Sequence, residues 1–517
     1  MALECTVLGR DVEITDLTIP VISPYWRLKR NGDWSLLCRY EQEQINYSLL
    51  SPMMGATLSL MDGRLTLRHL SMIIQYAHDF DSLDKAKEFV TEVILATNRE
   101  SDAVVNMTPE LEPFIQKMDP FHFVGDASKA GEEKRPAAPV SLNLMFSNDC
   151  ETNCAYCNAN RRHVPDNMLL STKRWKELLQ EAKSLGIEQV TLSGGDPLFR
   201  KDALNLIAEL IGHEMLFVLS TKCCITPEIA DRLVEIGMTR PINQYIREIQ
   251  VSMDGPDEHT ADKLAGSPGY YSRAVESIRN LVLRGFNLRV KAVVTPLNAT
   301  RIYEWIQRLA ALGVKKISLA AYTRTFHRHN DSLFLTQQDR VSIAEQCERA
   351  RADFPEIDLR MTGLQQAPTP VKMAMPEGNI SEDGAQVHAV SGLGNRAEDK
   401  VRRLKERGPC SGGHSSMTIT PDGKVVQSDT VPQEETFFVG DVSRQSIIEV
   451  WNSEALLNFA YQPREKLAGS ACHDCENLEV CQSKAGSCSR DTHFDFGTVF
   501  APPPQCPLVQ GGGVRME

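Results

Sequence analysis

The 517-residue chain is too long for one ordinary core, and about two to four domains are expected. Hydrophobic residues make up 42% and charged residues 24%, the proportions of a globular protein, and no apolar run is long enough to span a bilayer. A net charge of −12 opposes general affinity for nucleic acid or an anionic membrane surface, so neither is expected as a partner. The opening, MALECTVLGRDVE, lacks the basic start and apolar stretch of a secretory signal, and a cytoplasmic location follows as an expectation.

In chain order, YWRLKRNGDWSLLCRY reads as two alternating strands joined at Asn31-Gly32, a favoured hairpin turn, and INYSLL adds a third strand. Three runs of helical periodicity follow: MMGATLSLMDG, TLRHLSMIIQYAHDF and SLDKAKEFVTEVILATN. Together they predict a small winged-helix-like α+β module within residues 1–124. Residues 125–138 (GDASKAGEEKRPAA inside them) are small, charged and Pro-containing, the composition of a linker.

From residue 139 to 362, strands and helices alternate. Strands are expected at VSLNLMFS, EQVTLSGG, LFVLST, EIQVSMDG, LRVKAVVT and ISLAAY. Amphipathic helices lie between them, one capped by Ser171 and stopped at Gly186. Six βα units imply a parallel sheet curled into a partial (β/α)6 barrel, whose functional groups belong at the C-terminal strand ends. Residues 363–408 are poor in apolar residues and read as a linker or long loop. A cysteine-rich segment covers 409–510, and 511–517 is a tail.

Fourteen cysteines are many for a reducing compartment, where metal ligands or catalytic thiols outweigh disulfides. Cys5, Cys38, Cys223, Cys224 and Cys347 are scattered or paired without ligand spacing and read as packing residues. Cys150, Cys154 and Cys157 share one loop after the first barrel strand. Thiolates favour iron–sulfur clusters or zinc. Three thiols on a cubane cluster leave one iron free for a small molecule. The alternatives are a zinc site completed by His163, or three free thiols. LSGGDP closes the second strand, where two glycines let backbone approach a ligand closely.

This arrangement resembles the radical S-adenosylmethionine (radical SAM) superfamily, whose CxxxCx(aromatic)C signature is matched by Cys150, Cys154, Tyr156 and Cys157. The resemblance implies a [4Fe-4S] cluster on the three thiols, with S-adenosyl-L-methionine chelating the fourth iron. It implies that Gly194, Gly195 and Asp196 hold the methionine amino group. QVSMDGPDEH matches the fourth-strand pattern, with Ser252 near the ribose or carboxylate and Asp254 near the substrate. Asp254 and Tyr156 are the candidate catalytic side chains, and Asn298 of VVTPLN is a candidate for the cofactor pocket. The third strand ends in Thr221-Lys222-Cys223 where the family often has Thr-Asn-Gly. Ala265 stands where an arginine is common, and Lys263 is the expected substitute cation. Reductive cleavage of the sulfonium C–S bond, then hydrogen abstraction by a 5′-deoxyadenosyl radical, is the implied chemistry.

The tail carries Cys472-x2-Cys475-x5-Cys481-x6-Cys488 and then Cys506, preceded by CSGGHSSMTITPDGKVV from Cys410. It resembles the SPASM extension of peptide-modifying radical SAM enzymes, which holds auxiliary [4Fe-4S] clusters. By that resemblance Cys472, Cys475, Cys481 and Cys506 complete one auxiliary cluster. Cys410 and Cys488 belong to another, with Ser428 at the place of a cysteine. That cluster either recruits a non-Cys ligand (Ser428, Asp429 or His414) or is absent.

The N-terminal stretch INYSLLSPMMGATLSLMDGRLTLRHLSMII resembles the recognition element of enzymes that modify ribosomally made peptides. It implies a precursor-peptide partner whose leader adds a strand to the sheet edge. The expected function is a peptide maturase forming a C–C or C–heteroatom cross-link, with excision, epimerisation or sulfatase-type oxidation as alternatives. A flavodoxin- or ferredoxin-type reductant is the expected electron source. A non-catalytic, DNA-binding metal regulator is opposed by net charge and by the cofactor motif.

Overall fold

In the computed structural model, residue 3 and residues 5–40, 45–99, 101–125, 135–160, 162–242, 245–325, 328–364, 410–485, 488–503 and 506 are described. Most of the expected loop at 363–408, and the tail at 511–517, lie outside the described residues.

The N-terminal region is built on an antiparallel meander, β2 (Trp26–Asn31), β3 (Trp34–Tyr40) and β4 (Ile45–Leu50), preceded by the short β1 (Pro20–Ile22). Three helices follow: α1 (Pro52–Ser59), α2 (Leu67–Ala77) and α3 (Leu83–Arg99). Alternation along β2 turns Trp26 and Leu28 onto a core with Leu37, Leu70, Ile74, Val90 and Ile94. The expected hairpin is shifted by one residue. Asn31 pairs with Trp34, leaving Gly32-Asp33 as the turn, because the buried Asn31 amide oxygen accepts from Ala137 N–H at 2.9 Å. A strand the sequence did not announce, β5 (Val104–Asn106), returns to pair with β1.

The six expected barrel strands are present and parallel: β6 (Ser141–Met145), β7 (Gln189–Ser193), β8 (Leu216–Thr221), β11 (Glu248–Ser252), β12 (Leu288–Val294) and β13 (Lys316–Ala321); a two-residue hairpin, β9 (Pro241–Ile242) and β10 (Tyr245–Ile246), precedes β11. A seventh, β14 (Asp358–Thr362), extends the outer edge in parallel. Its polar, half-exposed alternation hid it from a hydrophobic reading. Helices between the strands cover the outer face, burying Trp175, Leu206, Leu233, Ile278 and Trp305 against it. The helix over Thr172–Ser184 is capped by Ser171, as expected.

The C-terminal segment continues this same sheet. β15 (Ser416–Ile419) pairs in parallel with β6, then β16 (Lys424–Val426) and β17 (Phe438–Asp441) follow antiparallel, completing ten strands. Arg135, at the end of the expected linker, helps fix this junction. It is buried, donates to Gly413 O at 2.8 Å and to Trp451 O, and stacks on the Trp451 ring at 4.1 Å. No described helix is long and apolar enough to cross a membrane.

Candidate functional site

At the C-terminal ends of the barrel strands lies a cavity of about 660 Å³. It is lined by Cys150, Cys154, Tyr156 and Cys157, by Gly194, Gly195 and Asp196, and by Ser252 and Asp254. Three stretches spread over about a hundred residues of sequence thus meet at one mouth.

The thiol loop is held from outside itself. Asn153 N–H and Ala155 N–H donate to the carbonyls of Ala265 and Leu264 at 2.9 Å, the last turn of the helix over Glu258–Ala265. Arg328 clamps the carbonyls of Asn153 and Cys154 at 2.8 and 3.1 Å. Cys154 is buried, and Cys150 and Cys157 are half-buried. Burial pushes the Cys154 thiol up, opposed by the Lys222 charge, so metal loading there would release a proton. His163 of the zinc alternative is exposed.

The glycines do something the sequence reading did not anticipate. Gly195 N–H donates to Ser147 O and Asp196 N–H to Asp149 O, each at 2.8 Å, so this turn braces the thiol loop. A Cβ on Gly195 would sit 2.2 Å from Asp149 O, and one on Gly194, at φ +98, 2.6 Å from Ser147 O. Gly195→Ala is therefore expected to displace the backbone just before Cys150. It should cost roughly 1–3 kcal/mol by overpacking. Urea unfolding, with iron content after reconstitution, checks this; an unchanged midpoint and full iron would refute it.

Asp196 is buried and accepts four hydrogen bonds: from Thr221 Oγ1 (2.8 Å), Lys222 N–H (2.6 Å), Cys223 N–H (3.1 Å) and Leu198 N–H (3.0 Å). Its carboxylate ties the second strand end to the third. Asp254 is also buried. It accepts from the Tyr156 hydroxyl, from Lys222 Nζ at 2.8 Å and from Val293 N–H at 2.9 Å. Burial pulls the Lys222 ammonium down, but Asp254 and then Tyr156 and Tyr270 hold it well above the usual lysine range. Burial, reinforced by the Asp254 charge, pushes the Tyr156 phenol well up and keeps it neutral.

Two expected cofactor contacts are placed elsewhere. Lys263 is exposed on its helix and does not line the cavity; the helix turns it away while Leu264 and Ala265 pack inward. Lys222 and Lys291 are the lysines that line it, and the Lys222 ammonium lies 4.7 Å from the Tyr270 ring and 5.7 Å from that of Tyr156. The Thr-Lys-Cys ending of the third strand was the one sequence signal for Lys222. Asn298 is buried behind the lining, where its amide donates to Asp254 O at 2.8 Å and Val293 O at 2.9 Å. Its place is a brace under the fourth strand end.

In the C-terminal segment, Cys472 lies within electrostatic reach of Cys475, Cys481 and Cys506. Burial, then the nearby Cys506, Cys481 and Cys475, push the Cys472 thiol up to about 12, and Cys481 is raised by burial and the same neighbours. As placed, no group of three or more His, Cys, Asp or Glu side chains among the described residues is gathered tightly enough to hold a metal ion, yet these thiols within electrostatic reach of one another have the donor chemistry of an iron–sulfur cluster. Cys488 caps the helix over Ser489–Phe496, and Cys410 precedes the turn leading into β15. Of the non-Cys candidates beside them, His414 turns both ring nitrogens to carbonyls, Gly412 at 3.4 Å and Gln482 at 3.0 Å. Ser428 Oγ approaches Thr430 Oγ1 at 3.1 Å and Asp429 Oδ1 at 3.4 Å. Asp429 itself lines the barrel cavity, a position no sequence signal gave.

A partial barrel with a three-thiol loop and a glycine turn at its mouth defines a radical SAM enzyme. Residues 144–297 match the radical SAM superfamily, so this part of the chain is a radical SAM domain. Residues 410–476 match the SPASM iron–sulfur cluster-binding domain, and the two domains together give S-adenosylmethionine and [4Fe-4S] clusters as the cofactors. It is similar to an AdoMet-dependent heme synthase of Methanosarcina barkeri, 25% identical over 375 residues, covering 71% of this chain and 96% of that one. Mycofactocin maturase MftC of Mycobacterium tuberculosis is 25% identical over 378 residues, covering 72% and 84%. Among solved structures, Streptococcus suis SuiB bound to S-adenosylmethionine shares the fold at a TM-score of 0.61 and 16% identity, over 94% of this chain and 100% of that chain. SuiB has also been solved bound to its precursor peptide SuiA.

Proposed function

We propose that the protein is a maturase of a ribosomally made precursor peptide, abstracting hydrogen from an unactivated carbon to form a C–C or C–heteroatom cross-link. One observation carries this reading. The fold shared with SuiB spans 94% of the chain and therefore takes in most of the N-terminal module, beyond what cofactor chemistry alone requires. MftC, a maturase by name, and a PqqA peptide cyclase of Methylocella silvestris each match over 72% of the chain.

The N-terminal module, residues 1–124, serves in this reading to hold a leader segment. Its sheet has two edges. The β2 edge is closed at Leu28, whose N–H and C=O bond the Gln116 amide at 3.0 and 2.8 Å. Among the described residues, no backbone group bonds the outer side of β4. An extended leader adds there, backbone to backbone. Contacts from Lys29 to Glu188 (3.0 Å) and from Tyr245 to Tyr25 O (3.0 Å) fix the module to the base of the barrel.

The residues at the mouth fit the cofactors. Cys150, Cys154 and Cys157 hold the first cluster, and Cys472, Cys475, Cys481 and Cys506 an auxiliary one, with Cys410 and Cys488 at a further site. Gly194, Gly195 and Ser252 face the space left for S-adenosylmethionine. When bound, these groups supply hydrogen-atom abstraction, while the chain orients the substrate and excludes water. Lys222 and Tyr156 hold the Asp254 carboxyl group fixed beside that space. A flavodoxin or ferredoxin in the cytoplasm delivers the electron.

Anaerobic, reconstituted protein incubated with a short peptide encoded beside its gene should yield product two mass units lighter. No mass change would indicate epimerisation, and a larger loss excision. Removing the leader from that peptide should cut turnover roughly tenfold or more, since losing two net backbone hydrogen bonds is worth about that much. Equal turnover of leader-free peptide would remove the recognition role of β4. Failure to modify any such peptide would remove the maturase reading.

A further inference from the structure

The base of the barrel, opposite the mouth, holds a second cavity of about 470 Å³, a volume usual for small-molecule sites. Gln189, Leu216, Glu248 and Lys316 line it, the first residues of β7, β8, β11 and β13, so it lies at the N-terminal strand ends. Tyr25 and Arg39 of the N-terminal module line it as well, and barrel and module therefore share it. The chemistry of such barrels sits at the opposite end. The reaction thus does not explain a charge left over here.

Arg247 is that charge. It lines the cavity, is only 4% exposed and has no carboxylate within ion-pair distance among the described residues. Its Nε donates to Met215 O at 2.9 Å and its Nη2 to Ile211 O at 3.5 Å, while Nη1 has no hydrogen-bond partner among the described residues. Burial pulls the guanidinium down to about 10, against the charge of Glu214. The other charged groups of the lining leave nothing to spare for it. Arg39 is matched by Asp102 at 2.6 Å. Arg360 meets Asp358 at 3.2 Å, a carboxylate that also serves Arg289 at 3.1 Å. Lys316 is 3.8 Å from Glu248, which serves Arg289 at 3.0 Å. Asp358 and Glu248 are thus each shared between two cations, and the cavity stays electropositive. Flat apolar surface lies beside the charge: the Phe217 ring is 5.6 Å from the Arg247 guanidinium, and the rings of Tyr25 and Tyr245 stand edge to face at 6.5 Å.

We infer that this cavity binds a phosphate group, with Arg247, Lys316 and Arg360 as its cations, and takes it as a phosphate monoester on a flat ring, of mononucleotide size. Guanidinium forks match the oxygens of a phosphate, and an ammonium adds a point charge. A phosphate near its second ionisation answers more than one cation, where a carboxylate answers one. The rings of Tyr25, Phe217 and Tyr245 offer the ester a surface that inorganic phosphate cannot use. A ligand there touches barrel and module at once, so its binding energy stabilises their docking.

Isothermal titration of anaerobically reconstituted protein tests it, with S-adenosylmethionine in excess so that the mouth is filled. The probes are guanosine 5′-monophosphate, guanosine and inorganic phosphate. The monophosphate should bind, and guanosine should bind roughly tenfold or more weaker, the worth of one hydrogen bond to a charged group. Inorganic phosphate weaker than the monophosphate assigns the site to an ester; equal affinities assign it to the free oxyanion and remove the part given to the rings. Arg247→Met should lose roughly tenfold or more in affinity for the monophosphate, and Arg247→Lys should keep part of it. Arg360 has an exposed side chain, so Arg360→Met should stay folded and weaken binding several-fold. Thermal melts separate lost affinity from unfolding, and where Arg247→Met does not fold, Arg360→Met decides. If neither phosphate compound binds wild type, or if the folded variants bind the monophosphate as wild type does, the inference is overturned while the maturase reading stands.

Discussion

Replacing Cys150, Cys154 and Cys157 together by alanine is expected to leave a folded protein that keeps its C-terminal iron and no longer cleaves S-adenosylmethionine. The three thiols lie on one loop at the barrel mouth, and only Cys154 is buried. Removing three sulfur atoms there creates little cavity, because the loop is tied down by backbone bonds to Leu264 and Ala265 and by Arg328. The chemistry has no such reserve. Without thiolates the loop offers no soft ligand, and the cofactor loses the metal that splits it. Formation of 5′-deoxyadenosine should fall by roughly a thousandfold or more, a small part of what enzymes typically contribute. Iron should fall by about four atoms per chain, one cubane's worth. Iron assay, EPR of the reduced protein and chromatography of the nucleoside read the three quantities separately. Persistent nucleoside formation would place the reactive cluster elsewhere in the chain.

Lys222→Met should be the most destabilising single change at the site. Asp254 is fully buried and Lys222 nearly so, and they meet at 2.8 Å. Removing the ammonium leaves a carboxylate in a low-dielectric space with only the Tyr156 hydroxyl and Val293 N–H for compensation. Breaking one side of a buried pair costs about 3–5 kcal/mol, whereas replacing both sides with neutral groups is often close to neutral. The double variant Lys222→Met with Asp254→Asn should therefore recover most of the loss. A double-mutant cycle by urea unfolding gives the coupling. A Lys222→Met cost below about 1 kcal/mol, the range of an exposed pair, would mean that the two charges are solvated and independent.

This pair shows where sequence reasoning reached its limit. An inward cation was expected from Lys263, three residues from the end of its helix. Whether a helical residue faces a cavity depends on which side of the helix packs, and here Leu264 and Ala265 take the inner side. Lys222 was visible only as an odd residue after the third strand. Its role required Asp254, thirty-two residues on, to be brought opposite. The glycines of GGDP were read as room for a ligand, and they line the cavity. Their tightest neighbours, though, are the carbonyls of the thiol loop, a contact between two strand ends that spacing alone does not specify.

The N-terminal hairpin gives a smaller instance of the same limit. Asn31-Gly32 was a sound turn signal, yet the turn closes one residue later because Asn31 bonds backbone from the expected linker. The C-terminal segment gives a larger one. Its cysteine spacing was legible, but nothing in that spacing says that β15 joins the barrel sheet beside β6, or that the loop beyond β16 sends Asp429 into the barrel cavity.

What the chain by itself determined is what depends on neighbours in sequence: three thiols within one loop, the six alternating βα units, the helix cap at Ser171, and the dense thiols of the tail. Hydrophobic period and ligand spacing act over a few residues, so they survive being read in one dimension. The tertiary structure alone decided which charges are spent and which are spare, which glycines carry close packing, and how the two ends of the chain dock on the barrel. Those outcomes depend on burial and on strand register between segments far apart in sequence, and no local pattern encodes either.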